Sequence, residues 1–219
     1  MTYFYRMGAV TKRGDAARAA LVANAERLFA ERGIEGVSLR DVSAAAGQRN
    51  HSAAQYHFGD REGLVAAVYG ARMRLVDNRR HAFIEQLRED GLHTDVRSLV
   101  AAIVVPLVEI VAETNGWYAR FLARSRWEPG AWRVMRGVPA AASFAFAMRG
   151  LNAALTDLTP PVRRHRLDQL MTLVVGTIAG WEGAADRGES RLSPAALETE
   201  LITTGVAVLT ATQLIGATT

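Results

Sequence analysis

Polar and basic side chains suited to hydrogen bonding with DNA are concentrated in one short segment near the N-terminus. A glutamine can form a bidentate pair with adenine, and an arginine can do so with guanine or can bind a phosphate. Asn, Ser, His and Tyr side chains contact base edges or the sugar-phosphate backbone. The side chains that we take as candidates for DNA contact are Arg40, Arg49, Asn50, His51, Ser52, Gln55, Tyr56, His57 and Arg61.

Two short helices joined by a tight turn are needed to position these residues. Ser38, with Asp41 three residues later, has the spacing of a capping box and predicts the start of the first short helix. Ser52 and Gln55 repeat that spacing and predict the start of the second. Longer amphipathic helices are predicted before and after this pair, over residues 15–32 and 60–89. The pattern therefore predicts an N-terminal three-helix unit that contains a helix-turn-helix.

The rest of the chain is more apolar and also has helical periodicity, with Gly and Pro between the periodic segments. Strand-like alternation is nearly absent, so we predict an all-α fold of about nine helices. The predicted domains are residues 1–68 for DNA binding and residues 69–219 for ligand sensing and dimerisation. The remaining helices are predicted over residues 95–113, 117–127, 131–157 with a possible kink at Pro139, 160–187 and 193–214.

The amino-acid composition excludes some classes of function and permits others. The 219 residues are 49% hydrophobic and 22% charged, which is typical of a globular chain. The absence of cysteine excludes disulfides, thiolate metal sites and cysteine nucleophiles. A net charge of +4 permits nucleic-acid binding without establishing it. No apolar run reaches the length of about 20 residues that a membrane span needs, so we expect a cytoplasmic chain with no membrane partner.

Enzymatic signatures are missing from the sequence. The five histidines have no paired metal-ligand spacing, no Gly-rich phosphate loop is present, and no nucleophile sits in a recognisable elbow. We therefore expect no catalytic residue, no bound metal and no cofactor. An all-α enzyme that works through dispersed carboxylates stays open as an alternative.

Aromatic residues in the C-terminal half are candidates for an apolar ligand cavity between helices. Aromatic side chains at helical spacing also fill ordinary cores, so both interpretations stay open at this point. The candidate ligand-binding residues are Trp117, Phe121, Phe144 and Trp181.

The last two long helices carry apolar and small residues that could form a two-fold helical interface between subunits. The alternative is that the same residues form the core of a single chain. The candidate interface residues are Leu170, Val174, Ile178, Leu197, Leu201 and Val208, together with Gly176, Ala179, Gly180 and Gly183.

Residues 38–64, SLRDVSAAAGQRNHSAAQYHFGDREGL, resemble the DNA-binding signature of the TetR family of transcriptional regulators. The resemblance implies a homodimer that binds double-stranded palindromic operator DNA, usually as a repressor, with an effector pocket in the C-terminal half. It also places Arg61 at the basic position that holds the DNA backbone. A helical ligand-binding protein without DNA binding is the other interpretation. The features that match are Ala46–Gly47, the pair His57–Phe58 and the run Asp60–Arg61–Glu62.

Overall fold

The computed structural model describes residues 2–114, 116–137 and 142–212, and these residues form ten α-helices and no strand. The all-α prediction is therefore confirmed. The helices are α1 Thr2–Arg32, α2 Leu39–Ala45, α3 Ala53–Phe58, α4 Arg61–Glu89, α5 Val96–Thr114, α6 Tyr118–Ser125, α7 Pro129–Gly137, α8 Ala142–Ala154, α9 Pro160–Asp186 and α10 Pro194–Thr210.

Three helices differ clearly from their predicted bounds, and one of them is the last, which ends at Thr210 and not near residue 214. The first helix begins at Thr2 and not near residue 15. The single helix predicted over residues 131–157 is wrong, because this stretch contains the separate helices α7 and α8. Pro139, where a kink was predicted, falls between them in residues 138–141, which lie outside the described part of the chain.

The chain divides into two compact units by packing. The first contains Met1–Arg74 and Gly116–Ala140, and the second contains Leu75–Asn115 and Ala141–Thr219. Helix α4 therefore contributes residues to both units. The domain boundary predicted at residues 68 and 69 stays a prediction, because packing within one chain does not test which part functions on its own.

The core of the first unit forms around one face of α1. Leu21, Ala25 and Phe29 of this face are buried. The Phe29 ring lies 6.2 Å from that of Phe121 in α6, and the Phe121 ring stacks on Tyr118 at 6.3 Å. Helix α1 thus packs against α6 as well as against α2 and α3. Helix α6, which is distant in sequence, therefore supports α1, the helix that precedes and packs against the helix-turn-helix.

The core of the second unit surrounds α5, which packs against α8, α9 and α10. Helix α10 approaches closely because Gly205 has no side chain. A Cβ atom at that position would lie 2.8 Å from Leu170 and 3.1 Å from Val100. This close approach buries the inner faces of α9 and α10 within a single chain.

The subunit interface predicted from sequence is wrong in its choice of apolar residues, because that face packs inside the chain. Each buried member is no more than 3% exposed in one chain, so it cannot touch a second one. Val208 is half-buried. The buried members are Leu170, Val174, Ile178, Leu197 and Leu201.

A carboxylate on α10 is held in an unfavourable environment. Burial raises the pKa of Glu198, and the nearby Glu109 carboxylate of α5 raises it further. Arg79 offsets part of the negative charge, since its Nη1 lies 3.5 Å from Glu109 Oε2 and 2.7 Å from Glu113 Oε1. A raised pKa means that the folded chain binds the Glu198 proton more tightly than the unfolded chain does. Ionised Glu198 therefore opposes folding.

We expect Glu198→Gln to raise the melting temperature at neutral pH. The gain should shrink as the pH falls through the raised pKa, because wild-type Glu198 then becomes neutral as well. Thermal unfolding followed by circular dichroism at neutral and acidic pH measures both effects. Glu200→Gln is the control, since Glu200 is an exposed carboxylate on the same helix. Equal melting temperatures for wild type and Glu198→Gln at neutral pH would contradict the expectation.

Among the residues that the structure describes, no helix is both long and apolar enough to cross a membrane.

Candidate nucleic-acid interface

Helix α2 begins with the capping box that the sequence predicts. The Asp41 backbone N–H donates to Ser38 Oγ at 3.1 Å, and the Ser38 N–H donates to Asp41 Oδ2 at 2.9 Å. The Ser38 hydroxyl and backbone N–H hold the pKa of Asp41 below its usual value. These bonds satisfy amides at the start of the helix that would otherwise lack partners.

A buried hydroxyl joins α2 to α3. Ser43 is fully buried, and its Oγ donates to the Leu39 carbonyl at 3.0 Å while it accepts from the Ala54 backbone N–H at 3.0 Å. Because Ala54 lies in the first turn of α3, this bond holds the N-terminal end of α3 against α2. The turn between the two helices begins at Gly47, whose φ of 64° favours glycine.

Helix α3 does not begin with the capping box predicted from Ser52 and Gln55. The Ser52 side chain makes no capping hydrogen bond. Instead, Asn50 Oδ1 accepts from the Ser52 backbone N–H at 2.9 Å, and the Asn50 carbonyl accepts from Ala53 N–H at 3.0 Å. The local turn formed by Asn50 therefore replaces the capping box. The Ser52 hydroxyl is left on the exposed surface.

The outer face of α3 exposes side chains that can form hydrogen bonds. Gln55 is exposed, and Tyr56 is 85% exposed, an unusual environment for an aromatic ring. The Tyr56 ring meets the half-buried His57 ring edge-on, with centroids 5.3 Å apart. Exposed polar side chains on a helix whose other face is fixed by Ser43 can reach into a groove of DNA.

The remaining candidates lie on the elements beside α3. Arg40, Arg49, Asn50 and His51 are exposed on α2 and on the turn that follows it. The Arg61 guanidinium, at the start of α4, donates to Glu35 Oε2 at 3.0 Å. The structure therefore places the predicted DNA-contacting residues on α2, on the turn after it, on α3 and at the start of α4. Their individual roles stay predictions.

Comparison with known families assigns this region. Residues 21–68 match the family model of the bacterial regulatory proteins of the tetR family. The match covers 48 of the 219 residues. The matched residues run from the core face of α1 through the helix-turn-helix and into α4. The resemblance noted from residues 38–64 is confirmed.

Solved structures of TetR-like fold resemble the chain over most of its length. A mutant of HlyIIR with an alanine-substituted segment matches with a TM-score of 0.55 and 14% identity, over 87% of this chain and 96% of that one. A protein from Rhodococcus sp., assigned to the TetR-family transcriptional regulators, matches with a TM-score of 0.53 and 18% identity, over 89% and 99% of the two chains. At these identities the likeness shows the fold. No curated protein sequence matches the chain.

The predicted ligand-binding aromatics lie in different compact units. Trp117 and Phe121 belong to the first unit, where Phe121 is fully buried against Phe29. The Trp117 ring lies under the Arg120 guanidinium, 3.5 Å from its centroid. Both side chains therefore have protein partners, and the prediction that they bind a ligand is not tested by these contacts.

Phe144 and Trp181 belong to the second unit. The Arg80 guanidinium lies 5.4 Å from the centroid of the Phe144 ring. Trp181 is 8% exposed, its Nε1–H donates to the Leu192 carbonyl at 2.8 Å, and the Arg191 guanidinium covers its ring at 3.8 Å. The assignment of these aromatics to a ligand pocket likewise stays a prediction.

A buried carboxylate that was not among the predicted site residues joins three helices of the first unit. Glu26 of α1 is 2% exposed and accepts hydrogen bonds from Arg72 Nε at 2.9 Å and from the Trp117 backbone N–H at 3.1 Å. It therefore joins α1, α4 and the start of α6. Its signal in the sequence is a charged residue on the apolar face of α1, four residues after Val22 and three before Phe29.

A second missed carboxylate holds the loop after α1. Both oxygens of Glu128 accept from the Ile34 backbone N–H, at 3.0 and 3.1 Å. No periodic signal marks Glu128, because it lies in the short connection between α6 and α7. In the part of the chain that the structure describes, no three His, Asp or Glu side chains lie close enough to hold a metal ion.

Proposed function

We propose that this protein is a ligand-responsive transcriptional repressor of the TetR type. It binds palindromic operator DNA as a homodimer and releases it when a small apolar or aromatic effector binds. The observation that carries the DNA-binding part is the exposed face of α3. Gln55 and Tyr56 extend outward there, while the hydrogen bond from Ala54 N–H to Ser43 Oγ holds the helix in place.

The side chains around α3 fall into two groups by chemistry. Gln55 is suited to reading a base edge, since its amide can donate to and accept from adenine together. Arg61, Tyr56 and His57 are suited to phosphates, which position the protein without reading sequence. The Glu35 carboxylate beside Arg61 orients its guanidinium, and the pair is exposed enough to exchange for a phosphate.

We expect Gln55→Ala and Arg61→Ala to weaken DNA binding in different ways. Gln55→Ala should relax the preference at one base pair of each half-site and cost about 1–3 kcal/mol against the preferred base. Arg61→Ala should weaken binding to all sequences by similar factors and lower the salt dependence by about one phosphate contact. Fluorescence anisotropy with the promoter DNA of the chain's own gene, at several salt concentrations, measures both.

Gln86→Ala and Arg97→Ala serve as matched controls, because both residues are exposed and belong to the second compact unit, whereas α2 and α3 belong to the first. They should leave affinity and salt dependence unchanged. Wild-type affinity for promoter DNA in both Gln55→Ala and Arg61→Ala would rule out this arrangement of contacts.

The homodimer is proposed through the outer faces of the last two helices. With the apolar faces buried inside the chain, α9 exposes Thr172, Gly176 and Gly180 at a spacing of four residues. Helix α10 exposes small residues with the same spacing, namely Thr199, Thr203 and Ala207. Small side chains let helices of two subunits approach closely. A two-fold dimer then presents two recognition helices to half-sites about 34–36 Å apart.

Effector release is proposed on thermodynamic grounds together with the match of residues 21–68 to the tetR family model. A ligand lowers operator affinity only when it binds the DNA-incompetent conformation better than the competent one. A coupling free energy of about 1–3 kcal/mol would lower operator affinity about 5–150-fold, and DNA would weaken ligand binding by the same factor. Trp117, Phe121, Phe144 and Trp181 remain our candidates for the effector site.

A further inference from the structure

A groove with a volume of about 740 Å³ lies within the first compact unit, along the first half of α4. Its floor is one face of α4, where Gly63, Ala66, Ala67 and Gly70 follow each other at helical spacing. Helix α7 lines it as well. The groove has the size of known small-molecule sites, which span about 300–1,000 Å³.

The floor of the groove is shaped to take a flat or narrow apolar body. Four consecutive floor positions carry at most a methyl group, so a ligand can lie directly against the α4 backbone. The Phe58 ring at the end of α3 adds an aromatic wall. Apolar and aromatic lining with a few polar groups is the usual composition of ligand sites.

The rim of the groove is basic. Arg74 continues the floor one helical turn beyond Gly70, and Arg18 of α1 lies with its guanidinium 5.2 Å from the centroid of the Phe58 ring. In residues 2–114, 116–137 and 142–212, neither Arg18 nor Arg74 forms an ion pair with a carboxylate. Both are exposed.

The groove lining carries three guanidiniums, of Arg18, Arg74 and Arg133, and two carboxylates, of Asp60 and Glu62, so its net charge is positive by about one. Asp60 is engaged in capping α4, where its Oδ1 accepts from the Gly63 N–H at 2.8 Å. Glu62 lies 3.9 Å from Arg133 Nη1, and both side chains are mostly exposed. The two unpaired arginines therefore offer charge-assisted hydrogen bonds to an anion.

We propose that this groove binds an amphipathic organic anion, a carboxylate or sulfonate with a flat or chain-like apolar body. The apolar body lies on the α4 floor against Phe58, and the anionic group bonds to Arg74 beyond Gly70. Arg18, beside Phe58, adds positive charge at the other end of the floor. None of the four aromatic candidates for effector binding lines this groove, so the site goes beyond the proposed function. It adjoins the end of the recognition helix α3.

The test uses 1-anilinonaphthalene-8-sulfonate as a fluorescent probe on the full chain, with decanoate as a competing carboxylate. Arg74→Gln should weaken probe binding about 10-fold, the value expected for losing one charge-assisted hydrogen bond. Arg18→Gln should weaken it by a smaller factor, because it removes a nearby positive charge without removing that bond. Ala67→Phe should fill the floor and remove binding. Arg97→Gln, which removes an exposed arginine from α5, should bind the probe as wild type does. Decanoate should displace the probe from wild type.

Circular dichroism melting checks that each variant is folded, and the arginine variants decide the result if Ala67→Phe is not. Probe affinity unchanged in both Arg74→Gln and Arg18→Gln would overturn the proposal. So would a result in which these two variants lose affinity for promoter DNA while probe binding stays at the wild-type level, because the arginines would then serve DNA phosphates.

Discussion

Replacing Glu26 by alanine is expected to destabilise the first compact unit strongly. The change leaves the Arg72 guanidinium and the Trp117 backbone N–H without their buried acceptor. Removing one partner of a buried ion pair costs about 3–5 kcal/mol, and we expect a value near the lower limit because the Arg72 side chain is 24% exposed. Urea unfolding of the full chain followed by tryptophan fluorescence measures the loss, since Trp117 lies at the site.

Two variants separate the buried bonds from a simple loss of charge. Glu26→Gln keeps an oxygen acceptor, so it should cost less than Glu26→Ala. Glu31→Ala removes an exposed carboxylate of the same helix that pairs with Arg27 at 3.3 Å, and it should cost only about 0.3–0.5 kcal/mol. If Glu26→Ala unfolds at the same urea concentration as Glu31→Ala, the three-helix junction at Glu26 does not carry the stability assigned to it.

The two predicted serine caps, Ser38 and Ser52, show how far residue spacing alone predicts local structure. Ser38–Asp41 and Ser52–Gln55 have the same spacing, and only the first forms a capping box. The difference comes from Asn50, whose short side chain accepts from the Ser52 N–H and forms a local turn before α3 begins. The sequence predicted that α3 exists. The hydrogen bonds at its start depend on whether the Ser52 or the Asn50 side chain bonds to the nearby backbone N–H groups, and residue spacing does not decide this.

The apolar faces of α9 and α10 were predicted to lie between subunits and instead pack inside one chain. A core and a subunit interface both need an apolar helical face, so the pattern containing Ile178 and Leu201 indicated burial without saying in which structure. The structure places these residues inside one chain. The sequence gives the positions of Gly176 and Gly180 but does not tell whether they are exposed. Whether they can contact a second subunit depends on which side of α9 faces the core.

The periodicity of apolar residues does not predict which distant segments pack against each other. The aromatic spacing around Phe121 indicated a buried face, and the structure shows that its partner is Phe29, about ninety residues earlier. The charge of Glu26 on an apolar face was the one local sign of this packing. A helix pattern identifies which side is buried, whereas the identity of the covering element comes from the tertiary fold.

Gly180→Arg is expected to convert the proposed dimer into a monomer and to reduce operator affinity severely. A Cβ atom at Gly180 meets no atom within 4 Å in the single chain, so arginine fits there without disturbing the fold. Arginine is also favoured over glycine inside a helix by about 0.5–1 kcal/mol, so the monomer itself should not lose stability. In a close helical interface, two charged side chains would face each other across the two-fold axis without partners.

Loss of the dimer removes the second half-site, and linked binding sites gain about 10²–10⁴-fold in affinity from being joined. We therefore expect operator affinity to fall by a factor in that range. Light scattering at micromolar concentration gives the mass, and anisotropy with promoter DNA gives the affinity. Ala153→Arg adds the same charge to an exposed position on α8 and should stay dimeric. A monomeric wild type would refute the dimer, whereas a Gly180→Arg variant with wild-type mass and affinity would place the interface on another face.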